Sequence, residues 1–438
     1  MPQLPLTVLL MPESAYGPTN NCIGIGTVLM GRGHRVVFAA EASWRGRLEA
    51  RGFEERMVDL APPSEGSSSQ DAGQFWKDFV RDTAPVFRRP TVEQLAGFVQ
   101  PTFEALVDGA MYCEPQLREI VSEVRPDVVV EDNVVSFPAL MTSGSPFVRV
   151  VSCNPLEVRG DRIPPPYSGL PAASSEEWDA FRREFARTHR LLWERFNGWV
   201  QQQGAPALPE LEFMHTSPDL NLYVYPEDID YADVRPLDPT WHRLDSSVRE
   251  VEDGSFEVPY VDEDAGTALV YLSLGSLGSA DVDLMRRLIE MLSTTPHRYI
   301  VSMGPCHDEL ALADNMVGAE FLPQTRILPF VDLVITHGGN NTTTEALHFG
   351  KPMLVLPLFW DQYDNAQRLH ETGLGVRLDT YTCSKDDLNS TIDRLVNDDA
   401  LRGRLADLSR RIQARDGVTR AADLIEELGS RRRRSRQR

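Results

Sequence analysis

Short apolar runs alternate with amphipathic stretches along this chain, and the pattern occurs twice. In the first half the runs are Leu6–Leu10, Arg35–Ala39, Asp127–Val130, Phe147–Ser152 and Leu220–Tyr225. In the second they are Leu269–Leu274, Arg298–Met303, Leu333–Thr336, Met353–Leu356 and Gly375–Leu378. Runs of this kind, separated by stretches of helical length, describe parallel strands covered by crossover helices on both faces. The predicted class is therefore α/β, with doubly wound parallel sheets. At 438 residues the chain also exceeds the roughly 250–300 residues that one core supports, so two domains are expected. The stretch from Pro236 to Ala265, rich in Pro, Asp and Glu, reads as their connection. The division that follows is 1–240, a linker at 241–265, 266–428, and a basic tail at 429–438.

Composition narrows the partners. A net charge of −21 opposes sequence-independent affinity for a phosphate backbone, so nucleic acid is not expected. The terminal run from Arg431 to Arg438 has the charge to meet an anionic surface, but with nothing apolar beside it the simpler reading is a solvated, disordered tail. Cys22, Cys113, Cys153, Cys306 and Cys383 stand singly, without metal or redox spacing, as suits a reducing cytoplasm. No segment approaches the roughly 18 consecutive apolar residues of a membrane span. A cytoplasmic protein without a membrane partner is the expectation.

Gly24-x-Gly26 and Gly31-x-Gly33 superficially suggest a dinucleotide site. That fingerprint places its first glycine in the turn directly after the strand, whereas Gly24 falls well inside the following helix. Gly33, just before His34, reads as a left-handed helix cap, and His34 as structural.

The chemistry is concentrated between Phe321 and Leu378. Strand Leu333–Thr336 ends in His337-Gly338-Gly339-Asn340-Asn341, and Thr342 is read as opening a helix. Paired glycines allow close backbone approach, and a helix start offers N–H groups to an anion such as a diphosphate. Thr342-x-x-Glu345 matches a capping box, yet a carboxylate there equally suits a ribose diol. Asp361-Gln362 is either a polar turn or a grip on a polyol.

This span resembles the signature of the UDP-glycosyltransferase family, inverting enzymes of GT-B fold that act on small molecules. The shared pattern is aromatic-x-Pro-Gln, His-x-Gly-x-Asn-Thr-x-x-Glu and Asp-Gln-x-x-Asn-Ala. The likeness extends to Leu269–Ser276, Pro126–Asp132 and the first strand and helix. It implies two Rossmann-like domains facing across a cleft. It also implies that Phe321 stacks on uracil, that Gln324 contacts the nucleoside, and that Glu345 binds the ribose. Ser276, His337, Gly339, Asn341 and Thr342 would surround the diphosphate, and Asp361 and Gln362 the sugar. Glu345 favours a UDP donor over a deoxythymidine one. No cofactor or metal is expected, and the oligomeric state is left open.

In the family a His after the first strand takes the acceptor proton and an Asp about 100 residues later orients it. Asp132 matches the Asp. Counting back without a gap from His34, Pro18 stands where the His belongs, in what reads as an acceptor loop. A positioned base contributes roughly 10²–10⁴-fold, so its loss matters. Four routes stay open: Asp132 accepts the proton, the acceptor is acidic enough to need little help, Glu13 substitutes, or the chain binds a sugar nucleotide without transfer. A GT-B sugar-nucleotide epimerase is a further alternative.

Overall fold

The computed structural model describes residues 5–62, 83–248, 256–261 and 267–436. Of the Ser-rich stretch Ala61–Gly73, whose composition suggests a loop at the rim of the first domain, residues 63–73 lie outside them. The first apolar run becomes β1 (Thr7–Pro12), followed by α1 (Tyr16–Gly31), β2 (Arg35–Glu41) and β3 (Glu54–Val58). A long helix α2 (Gln100–Val124) leads to β4 (Val128–Asp132), β5 (Phe147–Val151), α3 (Trp178–Gln202), β6 (Leu220–Tyr223) and β7 (Trp241–Arg243). These strands form one sheet in the order β3-β2-β1-β4-β5-β6-β7, with every pair parallel.

The second half repeats the design. β8 (Leu269–Ser273), α4 (Val282–Leu292), β9 (Arg298–Ser302), β10 (Met316–Ala319), β11 (Leu333–Thr336), α5 (Asn340–His348), β12 (Met353–Val355), α6 (Gln362–Glu371) and β13 (Gly375–Arg377) follow in turn. Their sheet order is β10-β9-β8-β11-β12-β13. Central strands such as β1, β4 and β8 are buried along nearly their whole length, which is why their sequences are apolar throughout. In both sheets the order reverses beside the first strand, and the crevice at the carboxyl ends of such strands is where doubly wound folds bind ligands.

Three strands escape the sequence reading: β3, β7 and β10. All are edge strands with partly exposed residues, so they lack the continuous apolar run of a strand covered on both faces. β7 corrects the linker boundary, because Asn221 pairs with Trp241 and extends the first sheet past residue 240.

The chain ends with α7 (Lys385–Val396), α8 (Asp399–Gln413) and α9 (Gly417–Arg436). α9 returns to the first sheet and buries Ala421, Ala422 and Ile425 in one apolar cluster with Val8, Leu10 and Ile25. The expected disordered tail is instead helical through Arg436, and the 428/429 boundary does not exist as a structural break. Arg433 donates twice to the Asp127 carboxylate, at 2.7 and 2.5 Å, and once to the Pro5 carbonyl. Arginines also suit the negative end of a helix dipole. His34 is structural, accepting the Leu6 N–H at 3.0 Å, and Gly33 takes the left-handed φ of +85°. Among the described residues no helix is long and apolar enough to cross a membrane.

Candidate active site

The register of the first sheet builds one wall of the cleft. Pro12 lies opposite Asp132 at the ends of β1 and β4, and the Glu13 N–H donates to the Asp132 carbonyl at 2.7 Å. The Asp132 side chain meets no imidazole: Ser152, just past β5, donates its hydroxyl to Oδ2 at 2.5 Å. Burial drives the Asp132 pKa up to about 7, with the Ser152 bond and the Arg149 charge pulling the other way. Arg149 is fully buried beneath it, bonded to Glu131 at 2.8 Å and to the Asn133 carbonyl at 2.9 Å. It fixes the end of β4 and with it the direction of Asp132.

Pro18 is not in a loop. It is the third residue of α1, whose N-terminal N–H groups have no intrahelical partner, so proline sacrifices no hydrogen bond there. Glu13 braces the entry to this helix: its carboxylate accepts the Ala15 N–H at 3.1 Å and the Ser14 hydroxyl at 3.4 Å. Burial raises its pKa too.

The opposite wall grows from the ends of β8 and β11. Ser273 pairs with Thr336, so the turns carrying Gly275 and His337 lie side by side. The His337 ring sits between Gly275 and Gly339, and a Cβ on either would strike it. Desolvation lowers its pKa to about 4. At neutral pH it offers a hydrogen bond and no charge.

α5 starts at Asn340 with Gly339 as its cap and no side-chain cap bond. Thr342 is thus inside the helix, and the capping box does not form. Glu345 is buried a turn further on, and its Oε2 accepts from the Gln324 amide at 2.6 Å, with Thr342 3.3 Å from the same amide.

Asp361 also declines the role of a helix cap. Its Oδ2 accepts the Asn154 N–H, from the facing wall, at 2.9 Å, and burial raises its pKa to about 6. Gln362 does serve its own turn, taking the Leu358 and Phe359 N–H groups on Oε1 at 3.1 and 3.3 Å. Between Phe359 and Asp361, Trp360 holds a φ of +57°, a strained conformation for a bulky residue. Its ring lies 4.6 Å from that of Tyr167, whose φ is +69°.

The two walls are stitched together. Asn341 donates to the Gly17 carbonyl at 3.0 Å and accepts from Asn21 at 3.0 Å, while the Asn21 amide also reaches Ser152 at 2.7 Å. A continuous chain of polar contacts thus joins Asp132 to the first turn of α5. Asn340 bonds the Ser152 and Val224 carbonyls, and Asp364 receives the Tyr167 and Gly169 N–H groups.

Between the walls lies a cavity of about 900 Å3. Glu13, Pro18, Asp132, Ser276, Phe321, Gly339, Asn341, Asp361 and Gln362 all line it. Gln324, His337, Thr342 and Glu345 are not among the residues that line it. Phe321 is half exposed, with the Tyr16 ring 5.8 Å away. Sequence reasoning missed Ser152, Asn21, Asn154 and Glu157. None belongs to a local motif, and only the sheet order brings them to the cleft. His189 and His215 stay outside it. His189 stacks on Phe185 at 3.9 Å, and His215 bonds Ser136 at 2.5 Å.

Comparison with known proteins agrees with this geometry. Residues 252–417 match the family model described as UDP-glucoronosyl and UDP-glucosyl transferase. Demethyllactenocin mycarosyltransferase of Streptomyces fradiae is 25% identical, over 94% of this chain and 84% of its own. Oleandomycin glycosyltransferase of Streptomyces antibioticus is 25% identical, over 96% and 90%. Among solved structures, the glycotransferase of kitacinnamycin superposes with a TM-score of 0.72 at 22% identity, over 97% of this chain and 99% of that one. The glycosyltransferase VinC in complex with DTDP gives 0.65 at 17%, over 97% and 100%. Shared motifs, two parallel sheets flanking one cleft and these relatives lead to one conclusion: this chain is a glycosyltransferase with the GT-B fold, and its residues 252–417 are similar to the UDP-glucoronosyl and UDP-glucosyl transferase family.

Proposed function

We propose that the cleft transfers a hexose from a UDP-sugar to a hydroxyl of a small, largely apolar acceptor, with inversion at the anomeric carbon and Asp132 as the base. The observation that carries this reading is Asp132 itself. It lines the cavity, hydrogen-bonded by Ser152, at a pKa of about 7. A base near the operating pH combines a substantial ionised fraction with useful proton affinity. The acceptor proton goes to Asp132 as the acceptor oxygen bonds the anomeric carbon and the carbon–diphosphate bond breaks.

The leaving diphosphate is met by the N-terminal N–H groups of α5, by Ser276 and by Asn341, with His337 as a neutral donor behind them. No metal or cofactor enters the scheme. Phe321 offers a ring face to uracil, Glu345 and Gln324 the ribose contacts, and Asp361 and Gln362 the sugar contacts. For Glu345 to engage a ribose, the Gln324 amide must release or share the carboxylate. Two of the relatives are named for glycosylating small molecules, which supports an acceptor of that size.

Glu13 is the weaker candidate base, because its carboxylate already braces the start of α1. The test is UDP release with phenol, alcohol and amine acceptors. Release that depends on acceptor is expected, and UDP-sugar binding without turnover across the panel would overturn the transfer reading.

A further inference from the structure

Pro18 brings no acid–base group to the cleft, but one turn further along α1 stands Asn21, a buried amide to which the transfer scheme gives no part. Its side chain lies between the two walls, and the direction of each hydrogen bond it makes can be worked out.

A backbone carbonyl only accepts hydrogen bonds, whereas an amide side chain donates from one end and accepts at the other. The Gly17 carbonyl lies 3.0 Å from Asn341, so Asn341 turns its Nδ2 toward it. Asn341 Oδ1 then faces Asn21 and takes one of the Asn21 Nδ2 protons at 3.0 Å. The second Nδ2 proton goes to the Ser152 oxygen at 2.7 Å. With that oxygen engaged as an acceptor, the Ser152 proton is left for Asp132 Oδ2 at 2.5 Å. Reversing any one of these bonds sets two donors or two acceptors against each other. The polarity of the contact at Asp132 is therefore fixed from the facing wall, through Asn21.

That polarity matters to a base. A hydroxyl aimed at a carboxylate favours its ionised form, whereas one that has turned round accepts from the protonated form and favours that instead. Only the ionised carboxylate can take a proton from an acceptor. Without the Asn21 amide, nothing in this chain of contacts prevents Ser152 from turning.

We infer that Asn21 is a positioning residue for the transfer: it holds the Ser152 hydroxyl in the donating direction toward Asp132 and, through Asn341, ties the base to the facing wall. The inference rests on the reading of Asp132 as the base and names what keeps that base ready. Arg149 of β5 and Glu13 after β1 also act on the Asp132 carboxyl, the first favouring its charge and the second opposing it. The thiols of Cys22 on α1 and Cys153 after β5 feel its charge and stay neutral, burial pushing both well above the usual thiol range. α5 presents the neutral Asn341.

Protonation of Asp132 can be followed directly. Its infrared carboxylic-acid band, isolated by subtracting the Asp132→Asn spectrum, is titrated in the full chain without donor between about pH 5 and pH 9. Ser152→Ala strips the hydroxyl and should raise the midpoint by about one unit. Ser152→Thr keeps the hydroxyl and should return the midpoint to within about 0.3 unit of wild type. Asn21→Ala and Asn21→Leu should each raise it by about half a unit. Two Asn21 variants are used because one leaves a void and the other adds bulk, and a packing defect alone lowers the melting temperature without moving the midpoint. With UDP-sugar and acceptor present, the acid limb of kcat/KM should move in the same direction. Wild-type midpoints in both Asn21 variants overturn the inference, as does an unmoved midpoint in Ser152→Ala. Normal turnover by Asp132→Asn, or no UDP release with any acceptor, overturns the reading of Asp132 as the base, and the infrared titration, which needs no turnover, tells that outcome apart from failure of the inference.

Discussion

The two walls of the cleft handle polar groups differently, although each buries a carboxyl whose pKa is raised, Asp361 on one and Asp132 on the other. On the wall built by residues 321–362, side chains are already engaged: Gln324 with Glu345, Gln362 with its own turn, Asn341 with Gly17 and Asn21. On the wall built from residues 13, 132, 152 and 157, carboxyl groups are desolvated and their pKa values raised, and Glu157 keeps one oxygen unpaired. The first wall is preorganised by hydrogen bonds among its own residues and with the facing one. The second buries its carboxyls away from water, and such burial is how a carboxyl acquires a pKa suited to proton transfer at neutral pH.

Removing the carboxyl proposed as the base is the strongest way to break this contrast. Asp132→Asn should lower kcat for transfer by roughly 10²–10⁴-fold and leave UDP affinity unchanged in calorimetry. Unaltered turnover would take Asp132 out of the mechanism.

On the donor wall, Glu345→Ala should weaken UDP binding by about 1.5–3 kcal/mol if the carboxylate bonds the ribose. Loss of thermal stability at normal UDP affinity would mean that the Gln324–Glu345 contact is purely internal. Pro18→His places an imidazole in the first turn of α1. Alcohol acceptors should then turn over about tenfold faster, a fraction of what a positioned base contributes, while phenols change little. Equal rates on alcohols would show that Asp132 with Ser152 already suffices.

A pH series sharpens the comparison without mutation. Asp132 and Glu157 are raised to about 7 and Asp361 to about 6, above the unfolded values of about 4. The native state therefore holds more protons than the unfolded chain between roughly pH 4 and pH 7, so the contribution of these groups to stability falls as pH rises through that window. kcat/KM should rise across it as Asp132 ionises. Parallel melting and rate profiles that both stay flat would contradict the burial argument. Asp132→Asn should melt higher than wild type at about pH 8, because it deletes a buried charge. The smallest effect is expected at the far end of the chain: Arg433→Ala should cost about 1 kcal/mol or less in denaturant unfolding, since the ion pair is partly exposed.

How legible each part was in the sequence follows from where its information lies. The central strands could be read because burial on both faces writes a continuous apolar run. β3, β7 and β10 could not, being edge strands with mixed faces. The residues proposed for the donor were legible as a motif because strand, turn and helix residues from one short segment carry it, and their spacing survives in the chain. Ser152, Asn21 and Glu157 left no such mark. Each is an ordinary residue until strand order places it beside Asp132, Asn341 or the apolar end of the cavity. The terminal arginines misled for the same reason: charge suggested solvation, but the apolar stripe at Ala421, Ala422 and Ile425 docks α9 and carries Arg433 to Asp127.

The sequence by itself determined the α/β class and the twofold repeat of strand and helix, and it singled out the motif residues between 321 and 362 that are proposed to hold the donor. These are local properties, set by composition and spacing along the chain. Only the tertiary structure decided that Pro18 lies in the first turn of a helix, that Glu345 is no cap, and that Asp132 pairs with Ser152. Desolvation and hydrogen-bond partnership depend on neighbours distant in sequence, so they exist only once the two sheets have closed around the cleft.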